Sequence, residues 1–505
     1  MRRLANIPGI TVGLYLVWKL ALLLFSSQPV PSNDSFFYDG PVINYLLHGK
    51  YCNPSLAMVL PISGNEVFCA YPPLYQFVLL GWMKCFGTSA LAAMWLHVTL
   101  LGVFALTVLR IFRVLEVPAL AANIAGLFLF GITFHDRPDT LAHVLGALTV
   151  LAVARGLVWP AAVFLLLTFC TSLQIGGIYA FWTLLMTLGG AWLRGHKLPW
   201  AAALTFCAGL LGLIALVKFG HPLLWEGFRE HVKITPSVTG LRLPRLEDLL
   251  KIARTVPGIA LVLAGISWML VTEGGFSASS RKSNALLVAV TGCLAALALI
   301  GGCLFILTPN TIHIASYLQP VIVGCFLAYR IHAHNLGKVT QAFFLAATLL
   351  VSIRAIGMTT WGVLCTRDVS REQAMARVNT ELDSVSSGGK VIVSSAYLYD
   401  AATRTNLTWI HSDWPVVPGG NNWELRAFTE LQPAKLLLTQ FDYYRRYEGV
   451  VAQFQRERGD VDVRIVNLAR VQPPDAIGST RRVLQHVSWA PVVVEFEWPR
   501  PVESR

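Results

Sequence analysis

Long apolar runs, separated by short polar stretches, recur along most of this chain. About 20 helical residues are needed to cross a hydrocarbon core about 30 Å thick, so apolar runs of about 17 residues or more predict transmembrane helices. The composition agrees: 55% of the 505 residues are apolar and 13% are charged, against about 25% charged residues in soluble domains. We therefore predict an α-helical polytopic membrane protein.

The apolar runs and the polar breaks between them predict about eleven transmembrane helices. These spans lie near residues 10–27, 89–109, 117–134, 139–154, 157–174, 177–193, 199–219, 256–272, 285–307, 313–329 and 339–360. Residues 72–86 are also apolar, but this segment is short and begins with two prolines. It predicts a helix that lies in the membrane interface or re-enters the protein.

The distribution of basic residues predicts the orientation of the chain, because cytoplasmic connections are rich in Lys and Arg. With the N-terminus in the cytoplasm, the basic residues at cytoplasmic ends of spans are Arg110, Arg113, Arg155, Arg194, Lys197, Arg281, Lys282, Arg330 and Lys338. Among the short outer turns, only Arg137 breaks the pattern. This distribution explains the net charge of +12, and nucleic-acid binding is not predicted.

The first apolar run follows Arg2 and Arg3, which is also typical of a signal peptide. No small-residue cleavage site follows it and further spans do, so an uncleaved first helix is predicted. An odd number of spans then places the C-terminus outside the cytoplasm. We expect an integral protein of the cytoplasmic (inner) membrane with an extracytoplasmic C-terminal region.

The composition changes near Thr366, where charged residues become frequent and apolar runs shorten to the length of strands. The predicted strands are 390–393, 435–438, 461–471 and 492–494, and the predicted helices are 368–385 and 441–458. This alternation favours a small α/β domain with a mainly parallel sheet. We thus predict a transmembrane domain over residues 1–365 and an extracytoplasmic α/β domain over residues 366–505.

The nine cysteines are scattered without a C-x-x-C pair, so a zinc site is not predicted. Cys52 and Cys69 both fall in the loop after the first span. If that loop is extracytoplasmic, a disulfide between them is one alternative and two free thiols are the other.

Two carboxylates, Asp34 and Asp39, lie in the loop after the first span. Ionised groups beside the bilayer are costly and are usually functional. Asp34 could act as a general base toward an acceptor hydroxyl, or hold a divalent cation such as Mg²⁺ or Mn²⁺ against a phosphate. Asp39 is a supporting candidate. The alternative interpretation is a solvated polar loop.

A second polar cluster occupies the outer turn between two predicted spans and consists of His135, Asp136, Arg137, Pro138 and Asp139. Polar residues are common in such turns. This cluster, however, holds two acids, an imidazole and a guanidinium within five residues. Arginine forks match phosphate oxygens well, so the turn is a candidate phosphate site.

Two further regions carry candidate residues. Residues 221–254 hold several basic and aromatic side chains. They predict either an amphipathic helix on the membrane surface or a loop that covers a lipid-linked phosphate. His313 follows Pro309 and Asn310 at a broken helix end; it could reach a phosphate, or it could be an interfacial histidine with a structural role.

The order and spacing of these motifs resemble the GT-C superfamily of integral membrane glycosyltransferases, especially its bacterial branch related to protein O-mannosyltransferases and the lipid A aminoarabinose transferase. Asp34 is followed by Leu-Leu-His-Gly-Lys-Tyr (46–51), by Tyr-Pro-Pro-Leu-Tyr (71–75) before a juxtamembrane helix, and by Arg-Pro-Asp-Thr-Leu-Ala (137–142) at the fourth span. The likeness covers residues 1–360. The family usually has Asp-Glu in the first loop, whereas Ser35 follows Asp34 here, so Asp39 or Asp139 could supply a second acid.

The resemblance implies a GT-C-like membrane fold that transfers a hexosyl or pentosyl group from a polyprenyl-phosphate-linked donor on the outer face. The acceptor could be a glycan, a lipid or a protein, and membrane lipids surround the site. The implied catalytic carboxylates are Asp34 and Asp139, with Asp34 as the base or a metal-associated carboxylate. The implied donor-phosphate residues are Arg137, Tyr71 and His313, and the supporting residues are Asp39, Asp136 and His135.

Two other functional classes remain open. A lipid or polysaccharide transporter or flippase should place ionisable residues near the middle of its spans. In this sequence most ionisable residues gather at the edges of the spans, which favours chemistry at the membrane surface. A non-catalytic membrane scaffold would leave the acidic loops without a role.

Overall fold

The computed structural model describes part of the chain, mainly the N-terminal helices and the C-terminal region. The described residues are 9–27, 30–31, 34–117, 119, 122–123, 126, 137–194, 197–234, 346, 349–350, 352–353, 356–357, 359–364, 370–412, 423–467 and 489–499. The predicted spans 256–272, 285–307 and 313–329 lie outside these residues, as do most of 117–134 and part of 339–360. The predicted count of about eleven spans therefore stays a prediction.

The N-terminal part of the chain is helical wherever the sequence predicts a span among the described residues. In chain order its helices are α1 (Ile10–Ser26), α2 (Ser35–His48), α3 (Pro61–Asn65), α4 (Leu74–Phe86), α5 (Ala90–Val114), α6 (Asp139–Ala154), α7 (Val158–Phe169), α8 (Leu173–Arg194), α9 (Trp200–Phe219) and α10 (Pro222–Ile234). Helices α1 and α5 to α9 overlap predicted spans, which confirms that these segments are helical.

Three of these helices are long and apolar enough to cross a membrane: α5, residues 173–192 of α8, and α9. Helices α1, α4, α6 and α7 are apolar but shorter. Helix α4 has 13 residues and is about 20 Å long at 1.5 Å per residue. It is too short to cross the hydrocarbon core, as predicted for residues 72–86.

Local sequence signals explain where several helices begin and end. The Ser89 hydroxyl accepts a hydrogen bond from the amide of Ala92 at 3.1 Å and caps α5. Helix α2 ends at Gly49, which adopts the left-handed conformation that glycine tolerates best. Pro138 directly precedes α6, whose first residue is Asp139. An acid in the first turn is favourable because the helix dipole is positive there.

The C-terminal region contains a five-stranded sheet flanked by helices. Its elements in chain order are α11 (Arg371–Asp383), β1 (Lys390–Val393), α12 (Leu398–Ala402), β2 (Thr408–His411), α13 (Trp423–Leu431), β3 (Lys435–Thr439), α14 (Glu448–Glu457), β4 (Asp462–Asn467) and β5 (Pro491–Glu497). A short helix (Gln440–Asp442) and a π-helical turn (Tyr443–Tyr447) lead into α14. All four predicted strands and both predicted helices are present.

The sheet is mixed, so the prediction of a mainly parallel sheet is wrong. The strand order is β2-β1-β3-β5-β4. Strand β1 pairs in parallel with β2 and β3, whereas β5 pairs antiparallel with both β3 and β4. The last strand inserts between two earlier ones, which the alternation of helices and strands does not predict.

The sheet is buried on both faces, which explains why its strands are continuous apolar runs. Alternate residues point to opposite faces. Val393, Leu437 and Val493 join the large core that also contains the N-terminal helices. Leu436, Leu438 and Val494 pack with side chains of α13 and α14 in a second core. One face of the sheet thus belongs to the same hydrophobic core as the N-terminal helices.

Three contacts attach the C-terminal region to the loop after α1. The ring of His411 stacks on Phe36 with centroids 3.4 Å apart. The Tyr399 hydroxyl donates to Oδ2 of Asp39 at 2.8 Å, and the indole N–H of Trp489 donates to the carbonyl of Ser27 at 3.2 Å. The loop and the sheet therefore lie on the same side of the membrane.

Candidate active site

Asp34 and Tyr38 stand on one face of α2, at its first turn. The Asp34 carbonyl accepts the amides of Phe37 and Tyr38 at 3.0 and 3.4 Å, so its backbone starts the helix. The Asp34 carboxylate makes no capping hydrogen bond and is available for other partners. Because residues four apart in a helix are neighbours, Asp34 and Tyr38 present their oxygens to the same point.

Arg137 supplies the positive charge at that point from the turn before α6. Its Nη1 donates to Oδ2 of Asp34 at 3.0 Å, and its Nη2 donates to the Tyr38 hydroxyl at 3.3 Å. Its Nε lies 3.1 Å from Oδ2 of Asp139. One guanidinium thus faces three oxygens from two separate segments of the chain, and the structure brings the predicted residues Asp34, Arg137 and Asp139 together.

The two carboxylates differ in their access to solvent. The side chain of Asp34 is 53% exposed, whereas those of Arg137 and Asp139 are 12% and 6% exposed. Burial opposes the positive charge of Arg137, but Tyr38 and the two carboxylates outweigh it, so the pKa of Arg137 lies well above its ordinary value. The site therefore pairs a firmly charged, buried guanidinium with one solvent-facing carboxylate.

Tyr71 and His231 lie on the apolar side of this cluster. The Tyr71 ring packs edge-on against Tyr38 with centroids 5.0 Å apart, and burial raises the pKa of Tyr71. The His231 ring lies 6.1 Å from the Tyr71 ring and 5.4 Å from Phe37, and burial lowers the pKa of His231. Tyr71 thus supports Tyr38, with which it shares a side-chain hydrogen bond, and lies close enough to Arg137 to interact with its charge.

Helix α10 brings His231 to the site and packs on the first loop. The carboxylate of Glu230 accepts the amide of Ile62 at 3.2 Å. Residues 222–234 of the predicted segment 221–254 thus form a helix beside the site, and residues 235–254 lie outside the described residues.

Asp39 is separate from the Arg137 cluster and is 1% exposed. Its Oδ1 accepts the Tyr75 hydroxyl at 3.1 Å, and its Oδ2 accepts the Tyr399 hydroxyl. Tyr75 in turn lies 3.0 Å from Nε2 of His97. Asp39 therefore joins α2 to α4, α5 and the C-terminal region, and its supporting role in the reaction stays a prediction.

Other predicted residues do not join the cluster or cannot be placed. His135, Asp136 and His313 lie outside the described residues. Cys52 and Cys69 are free thiols, so the disulfide alternative is not realised. Cys52 accepts from Asn44, and Cys69 lies near Ser63 and Leu223.

The arrangement can bind an oxyanion beside a carboxylate that can take a proton. A buried arginine recognises phosphate or carboxylate oxygens, and a solvent-facing aspartate can accept a proton from a hydroxyl. Within the described residues, no three His, Cys, Asp or Glu side chains are grouped to hold a metal ion. The charge that faces Asp34 is the guanidinium of Arg137, and a cation at Asp34 stays a prediction.

Sequence reasoning missed Tyr38 as a site residue, although it noted the aromatic segment that contains it. The signal was the Asp34-to-Tyr38 spacing of four residues at the start of a helix, which places both side chains on one face. Tyr399 was missed entirely, because no local pattern connects it to Asp39.

No protein-family model matches the sequence, and no curated protein matches it significantly. Solved structures do match its fold. The crystal structure of ArnT from Cupriavidus metallidurans bound to undecaprenyl phosphate superposes with a TM-score of 0.53 at 12% identity, covering 96% of this chain and 97% of that one.

Two weaker matches are the cryo-EM structure of the arabinofuranosyltransferase AftD from Mycobacteria and the crystal structure of an Archaeoglobus fulgidus oligosaccharyltransferase. Their TM-scores are 0.45 and 0.31, and their identities are 13% and 10%. They cover 98% and 88% of this chain, which spans 40% and 71% of theirs. The ArnT match shows that this chain shares the overall fold of that structure, which agrees with the predicted fold.

Proposed function

We propose that this protein is a glycosyltransferase that moves a sugar from a polyprenyl-phosphate-linked donor to an acceptor hydroxyl on the extracytoplasmic face of the inner membrane. The observation that carries the proposal is the convergence of Asp34, Arg137 and Asp139 at one point beside the membrane helices. The fold shared with ArnT over nearly the whole chain supports it, since that enzyme was solved with undecaprenyl phosphate bound.

In the proposed reaction, Asp34 takes the proton of the acceptor hydroxyl as general base. The acceptor oxygen forms a bond to the anomeric carbon, and the bond between that carbon and the phosphate oxygen breaks. The electron pair leaves with the polyprenyl phosphate, and the anomeric configuration inverts. A phosphate is a good leaving group that needs no general acid, unlike the alkoxide in glycoside hydrolysis, so one catalytic carboxylate suffices.

The other residues of the cluster stabilise the charge of the donor phosphate or position the arginine that does so. The guanidinium of Arg137 stabilises the negative charge that grows on the phosphate. Asp139, buried at the start of α6, balances the charge of Arg137 through a 3.1 Å ion pair at Nε. Tyr38 occupies Nη2 and restricts the rotation of the fork. His313, Asp136 and His135 stay predicted members of the site.

The decisive test is Asp34→Asn, measured by transfer of sugar from a radiolabelled polyprenyl-phosphate donor in membranes. Transfer should fall to background, because an amide cannot take the proton, while insertion and folding stay intact since Asp34 is half exposed. Asp383→Asn removes a somewhat more exposed aspartate of the C-terminal region that also pairs with an arginine and should leave transfer unchanged. An active Asp34→Asn enzyme would exclude Asp34 as the base.

Binding of a divalent cation at Asp34 can be tested separately from the role of Asp34 as base. The described residues offer a cation one exposed carboxylate that already pairs with Arg137. We therefore assign the phosphate charge to Arg137, and transfer should survive EDTA. Loss of transfer in EDTA with recovery in Mg²⁺ or Mn²⁺ would instead support the predicted metal.

One observation favours the alternative function, that of a lipid or polysaccharide transporter. Lys19 is buried within α1, with its ammonium 4.9 Å from the ring centroid of Trp18 and 5.8 Å from that of Tyr15. A buried charge inside a span is a feature of transporters. Purified protein in liposomes separates the two: a transferase forms product from donor and acceptor, whereas a flippase moves labelled lipid across the bilayer without forming product.

A further inference from the structure

Arg137 is shared by two carboxylates that hold it unequally. Asp139 meets its Nε from the buried side at 3.1 Å, and Asp34 meets its Nη1 from the solvent side at 3.0 Å. The Asp139 side chain is 6% exposed and the Asp34 side chain is 53% exposed. The two pairs therefore differ in how easily another anion can replace them.

An exposed ion pair is weak because water and salt compete with it. A buried pair is hard to break, since each partner would be left desolvated and uncompensated. The Asp139 contact, an ion pair and not a hydrogen bond, is thus the buried and less exchangeable one. The Asp34 contact is the exchangeable one, and the N–H that it occupies is the group that an incoming phosphate would use.

Phosphate is a strong competitor for that N–H, because its oxygens match the arginine fork in charge and geometry. While Oδ2 of Asp34 accepts from Arg137, that oxygen is not open to an acceptor hydroxyl. Oδ2 of Asp34 is therefore either the partner of Arg137 or an oxygen open to a hydroxyl.

Resting on the function proposed above, we propose that the donor phosphate displaces Asp34 from Arg137, so that donor binding itself releases the base. The ion pair between Asp34 and Arg137 then acts as a switch that couples occupancy of the phosphate position to base availability. No bond is made or broken in this step beyond the exchange of one ion-pair partner. Its consequence is an order of binding, with the donor before the acceptor.

The switch predicts an unusual effect of removing the base: the donor lipid should bind more tightly. We would measure the dissociation constant of undecaprenyl phosphate for the full-length protein in nanodiscs, for the wild type and for Asp34→Asn. Loss of an exposed competing charge should lower that dissociation constant about two- to fivefold. Asp34→Ser, which also lacks the charge, should behave in the same way.

The matched control is Asp383→Asn. Asp383 is 65% exposed and pairs with Arg404 at 2.9 Å in the C-terminal region. The Asp383→Asn variant changes the net charge of the protein by the same amount as Asp34→Asn. It therefore measures any general electrostatic attraction of the anionic lipid. Its dissociation constant should equal that of the wild type.

The outcomes separate the switch from the function on which it rests. Tighter binding in both Asp34 variants, with Asp383→Asn unchanged, supports the switch. Unchanged or weaker binding in the Asp34 variants overturns it, even if transfer is lost as the proposed function requires. Equal tightening in Asp383→Asn also overturns it, and a wild-type protein that does not bind undecaprenyl phosphate contradicts the proposed function itself.

Discussion

Arg137 contacts oxygens of three side chains with the three nitrogens of a single guanidinium, which the ammonium of lysine cannot reproduce. A lysine is a point charge on a flexible stem and lacks the planar fork. Its charge would remain near the site, but the separate contacts with Asp34, Tyr38 and Asp139 would not. Planar geometry, and not charge alone, therefore defines this position.

Arg137→Lys should lower kcat/KM for the lipid-linked donor about 10- to 100-fold. This range corresponds to the loss of one hydrogen bond between charged groups, about 1.5–3 kcal/mol. Initial rates at varied donor concentration measure it. Arg404→Lys alters an arginine of the C-terminal region that also pairs with an aspartate and should keep wild-type kinetics. Equal losses in both variants would indicate a general folding defect.

The site residues show what a sequence can and cannot predict at this scale. Asp34 was identified because a carboxylate beside the bilayer is costly, and Arg137 because it broke the distribution of basic residues. Both signals are local. The partnership of Asp39 and Tyr399 joins positions 360 residues apart, and no feature near either residue indicates the other.

Helix α2 is the element that orients the site, because Asp34 directly precedes it and Tyr38 lies in its first turn. Asn53 donates to the Phe36 carbonyl at 2.8 Å and packs against Gly40 so closely that a Cβ there would lie 2.5 Å from it. Asp39 anchors the middle of the same helix through Tyr75 and Tyr399. The helix is thus positioned from the loop, the membrane helices and the C-terminal region.

Tyr399→Phe should weaken this anchoring while leaving every residue of the Arg137 cluster intact. The loss of a buried hydrogen bond to a carboxyl group should cost about 1.5–3 kcal/mol of stability, visible as a lower thermal unfolding midpoint and faster limited proteolysis. Tyr444→Phe changes a more exposed tyrosine of the same region and should alter neither. Similar stability of the two variants would argue against the anchor.

The stack of His411 on Phe36 should make the attachment of the C-terminal region sensitive to acid. Burial, and then the charge of Arg446, hold the pKa of His411 well below its ordinary value. His411 also lies 2.7 Å from the Ser395 hydroxyl. Below about pH 6.5 the unfolded chain binds a proton at this histidine that the folded protein excludes.

Stability should therefore be complete above about pH 6.5 and fall below it, by up to about 1.4 kcal/mol per pH unit for this one group. Thermal unfolding midpoints between pH 5 and 7.5 test this for the wild type and for His411→Gln. The variant should lose part of the decline on the acid side. Identical pH profiles would show that folding does not change the pKa of His411.

At the level of elements, local sequence patterns predicted which segments form strands but did not predict how those strands are arranged in the sheet. Strands β1, β3, β4 and β5 are apolar runs of strand length, and they were predicted. Strand β2 has four residues, Thr408 to His411, in a polar neighbourhood, and its pattern was too short to stand out. The antiparallel position of β5 depends on pairing with β3, a strand more than fifty residues earlier.

On the scale of the whole molecule, the contacts between the first loop and the C-terminal sheet require both to occupy one side of the membrane. In a background without the native cysteines, Glu66→Cys and Thr403→Cys should both react with a membrane-impermeant maleimide in intact cells. Glu116→Cys, at the opposite end of α5, should react only after permeabilisation. A reporter fused after residue 365 should also register outside the cytoplasm.

Labelling of Glu66→Cys without Thr403→Cys would contradict the packing of the sheet on the loop. Labelling of Glu116→Cys in intact cells would reverse the predicted orientation while leaving that packing intact. The two failures are therefore distinguishable.

The hydrogen bond between Tyr399 and Asp39 also has a consequence for the synthesis of the protein. A ribosome adds about 5–20 residues per second, so roughly 20 to 70 seconds separate the synthesis of these two positions. During that interval Tyr399 has not been synthesised. The Asp39 carboxylate therefore has one of its two tyrosine donors, and α2 lacks its contact with the C-terminal region. A chain whose synthesis stopped before the C-terminal sheet would contain every residue of the Arg137 cluster. It would lack the hydrogen bond between Tyr399 and Asp39 that helps to position α2. Activity is therefore expected only when synthesis is nearly complete.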